Sequence, residues 1–406
     1  MARFQGRWAV FYPDDETAKR FDGFGPSSLT DGREPPTEEV VLAESDRASR
    51  KLVRRLCPRS PGVYGMIDAD DRLIYVGKSK SLRDRLASYF GGRSADPKAR
   101  HIIAHSQRIV FEPGPHEFTA FLRELELIRR WCPRFNVRGR PGRVRRGYIA
   151  IGRGPAAFAE VIERPSSKRR ILVGPLRPTR ELRRLIRVVN DHFQLRDCPE
   201  ETPIAFSDQL QLFPEIHPPR CIRRDLGNCL GPCAGQCSSR QYARRVRAAR
   251  DFLAGAIGPL HLLEREMLDA SAACQFERAA ALRDRRQDLL DLAEQLARLR
   301  EVQRDYAFVY PLPSYDGRHE TWHIIRRGQV AAVATAPRNR TAARQALRLL
   351  ERVFPAEPPV LEDAEDPDLV HIVSTWFRAN PGELDRVLSP DAAKEHCAAA
   401  LAPAVA

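Results

Sequence analysis

The sequence predicts an α+β chain divided among several small domains, and three observations carry that reading. Short β-branched and aromatic runs alternate with amphipathic stretches in the first third; cysteines crowd into residues 198–237; and a long helical pattern with one break fills residues 260–300. A chain of 406 residues has room for two or three domains and at least one sizeable core. The divisions expected are a weakly ordered extension (1–40), a β-sheet/helix domain (41–140) and a basic, Cys-rich domain (141–255). A helical hairpin (256–304) and a small α/β C-terminal region with an acidic tail (305–406) complete the chain.

The elements follow in order. Residues 1–40 hold scattered aromatics and then a Gly/Pro/Ser-rich stretch. A helical pattern over 42–56 is ended by Pro58 and Pro61. Two strand-like runs, 62–67 and 72–76, flank the turn-forming Asp68-Ala69-Asp70-Asp71. Helices are expected over 81–90 and 117–131, the second stopping before Pro133. Residues 134–147, "RFNVRGRPGRVRRG", carry six Arg and no carboxylate, and read as a basic linker or phosphate-tracking loop. A basic helix is expected over 179–193. Past Asp305, "RDYAFVY" and "WHIIRRGQVAAV" read as strands. From Phe354 to the end there are ten Asp/Glu against three Lys/Arg, so DNA-binding charge is not expected there.

Composition narrows the function class. The chain is 43% hydrophobic and 30% charged, with net charge +14 and pI near 9.7. That is a globular composition, and the positive surplus favours a polyanionic partner, most often nucleic acid. Sixty of the 67 basic residues are Arg. A GC-rich genome accounts for Arg in place of Lys, but not for the surplus. No apolar run suits a signal peptide or a membrane span, so a cytoplasmic protein without a membrane partner is expected, with its nine Cys as thiols or metal ligands.

The densest chemistry lies in "PGVYGMIDADDRLIYVGKSKSLRDRLASY", residues 61–89. Paired strands would set Tyr64 beside Tyr75, and a following helix would put Arg85 and Tyr89, four apart, on one face. Gly77 suits a close backbone approach at a strand-to-helix turn. Phenols, Lys78 and Arg85 on one small unit can grip and polarise a phosphodiester. The carboxylate needed for a metal is offered by Glu124 in "FLRELELIRRWCPRFN", with Asn136 beyond it; Glu126 is its rival, and Glu117 reads as a surface charge.

"GVY" and "YVG" resemble the half-motifs of the GIY-YIG nucleases, and the "GKSKSLRDRLASYF" spacing with Glu-x11-Asn (Glu124 to Asn136) resembles the UvrC branch. The resemblance implies a divalent metal, Mg²⁺ or Mn²⁺, with Glu124 as its only protein carboxylate. It implies that Tyr75 helps deprotonate the attacking water, with Lys78 nearby favouring the phenolate. Arg85 would neutralise the phosphate, and Tyr64 and Tyr89 would position water and phosphate.

Cys221, Cys229, Cys233 and Cys237 fall within "CIRRDLGNCLGPCAGQC", with Cys198 upstream in "FQLRDC". Thiolates on loops suit zinc or an iron–sulfur cluster, and C-x3-C differs from the usual zinc knuckle. Similarity to the Cys-rich domain of the UvrC family implies a 4Fe-4S cluster on Cys198, Cys221, Cys229 and Cys233. Zinc is the alternative, and Cys237 is an extra thiol. Cys57, Cys132, Cys274 and Cys397 are isolated and read as structural.

Residues 260–300 read as an antiparallel helix pair breaking at 273–275. "FERAAALRD" closely resembles the UVR motif, which implies docking to a UvrB-type helicase subunit, with Phe276 as apolar anchor and Glu277, Arg283 and Asp284 as orienting charges. The resemblance covers about residues 42–300. No RNase H-like Asp/His set of the family kind is found after Asp305, so a second active site is expected to be absent. The reading that results is a metal-dependent endonuclease of nucleotide excision repair, cutting damaged double-stranded DNA on the 3′ side of the lesion. Its competitors are a non-catalytic, helicase-recruiting adaptor and a branch or flap nuclease working without UvrB.

Overall fold

The computed structural model describes residues 19–30, 34–91, 97–136, 146–164, 169–209, 221–355 and 366–402. They form two compact units, one of residues 1–144, 307–362 and 371–406, the other of 145–306 and 363–370.

The first unit opens with β1 (Glu38–Val41), α1 (Asp46–Leu56), β2 (Gly62–Ile67), β3 (Leu73–Ser79), α2 (Leu82–Ser88), α3 (Pro97–Ala104), β4 (Arg108–Pro113) and α4 (Glu117–Trp131). The sheet runs β1-β4-β2-β3, with antiparallel pairing throughout. β3 is therefore an edge strand. β2 and β3 join through the Asp68–Asp71 turn, where Asp71 takes a positive φ of 60°. Strand β3 continues to Ser79, three residues past the expected end, so Gly77 lies within the strand and not at a strand-to-helix turn. α1 starts four residues later than its apolar pattern because Ser45 caps it, accepting from the Ala48 N–H.

One sheet face packs against α1 and α2 through Val53, Met66, Leu82 and Leu86, and the other against α4 through Val63, Val76, Ala120, Leu127 and Ile128. The described part of the N-terminal segment departs from the weakly ordered extension expected there. Phe24 is wholly buried among the α4-side residues, and Glu38–Val41 pairs with β4. Both are held by burial of a few large side chains, which a Gly/Pro-rich composition conceals. The basic stretch 137–145 lies outside the described residues.

The second unit begins with the antiparallel sheet β6-β5-β7, from β5 (Gly147–Gly152), β6 (Ala159–Ile162) and β7 (Arg169–Leu176). α5 (Arg180–His192) lies on it, within a residue of the expected bounds at each end. α6 (Ile222–Asp225), α7 (Ser239–Leu253), α8 (Gly258–Ala272) and α9 (Phe276–Asp305) follow. Asn190 ties helix to sheet, donating to Ala159 O (2.8 Å) and accepting from Ala159 N (3.0 Å). The helix pair breaks where expected, with Cys274 at φ 55° making the turn. On α9, Leu289, Leu292, Leu296, Leu299 and Val302 are buried at helical spacing. No helix of the described residues is long and apolar enough to cross a membrane.

The chain then returns to the first unit through β8 (Phe308–Pro313), β9 (Glu320–Arg326) and β10 (Gln329–Thr335), an antiparallel sheet ordered β10-β9-β8. α10 (Arg340–Val353), α11 (Pro367–Ala379) and α12 (Pro390–Leu401) complete it, so an α/β C-terminal region is present, packed about Val309, Trp322, Ile324, Ala346 and Leu350. Within this unit α4 is covered on its outer side. Phe118 meets the rings of Tyr310, His323, Trp376 and Phe377, with centroids 5.4–6.2 Å apart, distances at which edge-on and tilted aromatic pairs attract.

Candidate active site

The site forms at the free edge of β3. Tyr64 stands opposite Gly77 in the β2–β3 register, and Tyr75 opposite Met66, so both phenols project from one face. Their ring centroids are 6.2 Å apart. Gly77 is required by that packing. A Cβ there would sit 2.6 Å from Cζ of Tyr64 and 3.0 Å from Tyr75, so any side chain would push the two rings aside. From α2, Tyr89 brings its hydroxyl to 2.9 Å from that of Tyr64. Arg85 donates from Nε to the Tyr64 hydroxyl (3.2 Å) and from its terminal nitrogen toward the Tyr89 hydroxyl (3.5 Å).

α4 supplies the carboxylate. Ala120, Glu124, Leu127 and Ile128 share one stripe at i, i+4, i+7 and i+8, and the three apolar members face the sheet. Glu124 is thus carried inward by the period of its helix. Burial drives its pKa up to about 7, against the lowering pull of the Lys78 ammonium, the Lys78 backbone N–H and Arg85. A half-buried carboxylate on the site side of its helix is a hard oxygen donor of the kind a divalent cation takes. Among the described residues no group of three or more His, Cys, Asp or Glu is arranged to hold a metal ion, neither about Glu124 nor among the clustered cysteines of the second unit.

Lys78 is placed differently from the expectation. Three residues beyond Tyr75 on a strand, it points to the opposite face. Its Nζ lies 3.2 Å from the Phe121 ring centroid, with Glu124 and Glu117 as charge partners and burial pulling its pKa down. The cation that lowers the Tyr75 pKa is Arg85, while burial, Tyr89 and Glu124 raise it well above the ordinary phenol value. Tyr64 is raised in the same direction, again chiefly by burial. Glu117, expected as a surface charge, is only half exposed and faces Lys78.

Asn136 is a backbone clamp. It donates to Val76 O and accepts from Val76 N, both at 2.8 Å, while Phe135 N bonds Ile74 O at 3.0 Å. These bonds close the free edge of β3 beside Tyr75. Glu126, the rival carboxylate, is already engaged. It accepts from Arg123 (2.7 Å), Ser27 Oγ (2.8 Å) and Ser28 N (2.8 Å). Arg123 is wholly buried and also pairs with the equally buried Glu112 at 3.0 Å. Tyr315, from the β8–β9 connection, hydrogen-bonds the same Glu112. The sequence reading missed Arg123, Glu112 and Tyr315. An Arg amid the apolar positions of α4 was the available signal for the first.

In the second unit, Cys198 and Cys221 lie close enough to Cys229 and Cys233 to raise the pKa of both. Cys229 is raised by burial and then by Cys233, Cys198 and Cys221. Arg196 and Arg224 face this cluster, a positive setting that suits thiolates. Cys237 is only 2% exposed, packs in the apolar core, and is pushed up to about 11. Cys229 and Cys233 add to that rise, so Cys237 differs from the other four in burial rather than in isolation.

At the hairpin, Phe276 is 66% exposed and Leu268 57%, while Arg283 and Asp284 pair with each other at 2.8 Å on the surface.

An antiparallel sheet with Tyr64, Tyr75, Arg85 and Tyr89 at its edge and a helix-borne Glu124 beside it defines a domain of the GIY-YIG class. The UvrC-like GIY-YIG domain model matches residues 60–137, the UvrC/Cho excinuclease middle domain 148–252, and the UvrB/uvrC motif 259–286. The chain belongs to the UvrC family. The UvrABC system protein C of Synechococcus elongatus is 30% identical over 376 residues, covering 87% of this chain and 55% of that protein. That of Methanococcus maripaludis is 28% identical over 253 residues (62% and 44%), and that of a Chelativorans species 32% over 235 (58% and 34%). The chain thus spans about half the length of these relatives, or less. A solved GIY-YIG N-terminal endonuclease domain of UvrC from Thermotoga maritima, bound to magnesium, is 31% identical; it covers 24% of this chain and all of that one, with a TM-score of 0.21.

Proposed function

We propose that the protein is a divalent-metal-dependent endonuclease of nucleotide excision repair that hydrolyses one phosphodiester of damaged duplex DNA on the 3′ side of the lesion. The observation that carries this is the half-buried Glu124 carboxylate lying beside a cluster of three phenols and Arg85. Mg²⁺ or Mn²⁺ held by Glu124 would acidify a water and stabilise charge on the phosphate. Arg85 neutralises the phosphate oxygens and is the cation that favours the Tyr75 phenolate. Once Arg85 and the bound cation had released the Tyr75 proton to solvent against the upward pull of burial, the Tyr75 phenolate would take the water's proton. Tyr64 and Tyr89 share a hydrogen bond and orient water and phosphate. Lys78 holds Glu124 in its ionised form, and Asn136 fixes the strand that carries Tyr75.

For the Cys-rich part, residues 141–255, we propose a 4Fe-4S cluster or a zinc ion on Cys198, Cys221, Cys229 and Cys233, whose binding would draw the four thiols into a ligand set that they do not form without it. The hairpin, 256–304, docks a UvrB-type helicase subunit through the exposed Phe276. The adaptor reading is disfavoured by the complete catalytic set and the branch-nuclease reading by the exposed hairpin anchor. The test is incubation of the purified protein on end-labelled, lesion-bearing duplex, with and without the helicase partner. Metal-dependent cutting 3′ to the lesion that disappears in Glu124→Ala is expected. Equal cutting by Glu124→Ala overturns the reading.

A further inference from the structure

Several arginines of the second unit have carboxylate partners. Arg169 meets Glu160 and Glu200, Arg183 meets Glu163, Arg184 meets Glu181 and Asp288, and Arg223 meets Asp191. Another group gathers in one place without them. A groove of about 490 Å³ between the β5/β7 edge and α7 is lined by Arg153, Arg170, Arg247 and Arg250, with no acidic lining residue. Among the described residues Arg153, Arg170 and Arg247 make no ion pair, and all three are exposed. Arg250 is half-buried and only reaches Asp251 at 3.5 Å.

The local structure explains how the four converge. Arg169 and Arg170 are neighbours on β7, so they face opposite ways. Arg169 goes to its two glutamates, and Arg170, opposite Ile151 in register, goes to the groove. On α7, Ala243, Val246, Arg247 and Arg250 fall at i, i+3, i+4 and i+7, one helix face. Ala243 and Val246 form an apolar floor and the two arginines a charged wall. Arg153 enters from the loop just after β5. Gathering like charges without counter-ions costs energy in the free protein, and an anion entering the groove recovers that cost. An open, apolar-floored channel with guanidinium walls suits a run of phosphates.

We propose that this groove is a second DNA-binding surface, which grips the phosphate backbone of duplex DNA through Arg153, Arg170, Arg247 and Arg250 without reading sequence. The inference rests on the proposed function, since it takes DNA as the substrate, but it is separable from catalysis by measuring binding alone.

The experiment is titration of the full chain against a fluorescein-labelled duplex in metal-free buffer across about 50–200 mM salt, where each phosphate contact contributes roughly one unit to the slope of log Kd against log salt. The variant R153A/R170A/R247A should make the slope shallower by about 3 units and weaken binding at least about tenfold at the lower salt. The control R183A/R184A/R223A removes the same charge from paired positions and should change the slope by less than about 1 unit. Equal slopes for the groove variant and wild type, or an equal loss in the control, overturn the groove. So does a wild-type protein that does not bind duplex. A groove variant that loses DNA while Glu124→Ala still cuts leaves the groove standing and removes the catalytic assignment.

Discussion

The hydroxyls of Tyr64 and Tyr89 lie 2.9 Å apart, and Arg85 donates toward both. Two phenols and one guanidinium therefore act as a single hydrogen-bonded unit, assembled when α2 folds back over β2. Burial and mutual repulsion hold the Tyr64 phenol protonated, so it can donate, and Arg85 supplies the fixed positive charge. Arg85→Ala should slow cutting by roughly 10²–10³-fold, the usual cost of removing one preorganised donor. Duplex affinity should change little, because many phosphate contacts share it. Single-turnover cleavage with a parallel binding titration measures both, and an unchanged cleavage rate contradicts the role given to Arg85.

Glu124 and Glu126 are two residues apart and do opposite work. Glu124→Ala should abolish metal-dependent cutting and leave the melting temperature at or above that of wild type, since a half-buried carboxylate whose desolvation outweighs its charge partners is removed. Glu126→Ala strips partners from the buried Arg123, Ser27 and Ser28. It should cost about 1–3 kcal/mol of stability and keep residual cutting at low temperature. Urea unfolding beside cleavage assays separates the two; a reversed pattern would exchange their roles.

Metal binding should depend on pH with a definite sign. The Glu124 pKa is raised to about 7, so the metal-free folded protein holds this proton more tightly than the unfolded chain does. That contribution to stability is full below the ordinary carboxylate value and is lost as pH rises through about 7. A metal needs the ionised form. Mn²⁺ affinity should therefore fall by up to about tenfold per pH unit below 7 and level off above it. Calorimetric titration from pH 5.5 to 8.5 would show this; a flat profile would mean that Glu124 is not the ligand.

How much of this was legible is best judged residue by residue. The bounds of α4 followed from its apolar spacing and Pro133, and the same period placed Glu124 on the sheet side. The position of Lys78 was legible but misread, because an odd spacing from Tyr75 along a strand means opposite faces. β4 was missed, although it lies between β1 and β2 in the sheet, because Arg108–Pro113 has only a short apolar stretch between polar ends. The burial of Phe24 and the reach of Tyr315 to Glu112 depend on contacts between residues far apart in sequence, which no local pattern encodes.

The cysteine set yields a prediction independent of cutting. Cys198 and Cys221 lie close enough to Cys229 and Cys233 to raise the pKa of both, whereas Cys237 is packed in the apolar core. Anaerobically purified protein should be brown, with Cys229→Ala bleaching the colour. Cys237→Ala should keep the colour and cost stability through its lost packing. Colourless protein with stoichiometric zinc by mass spectrometry would replace the iron cluster by zinc on the same ligands. Colour that survives Cys229→Ala but not Cys237→Ala would exchange the two residues.

Phe276 opens α9 at the tip of the helix pair, and 66% of its surface faces solvent. The hairpin's own stability rests elsewhere, on Leu263, Ala270, Leu282 and Leu289. An aromatic anchor left in water contributes little to folding but can dominate docking into a partner's pocket. Phe276→Ala should leave the melting temperature within about 1 °C of wild type, as surface substitutions usually do. It should weaken binding to a UvrB-type subunit by about 2 kcal/mol or more, roughly 30-fold in Kd. Leu263→Ala, by contrast, opens a cavity and should destabilise the hairpin itself by about 2–5 kcal/mol. Surface plasmon resonance on the immobilised partner, paired with thermal melts, distinguishes these effects. Unaltered partner affinity in a folded Phe276→Ala protein would remove the hairpin tip as the docking site.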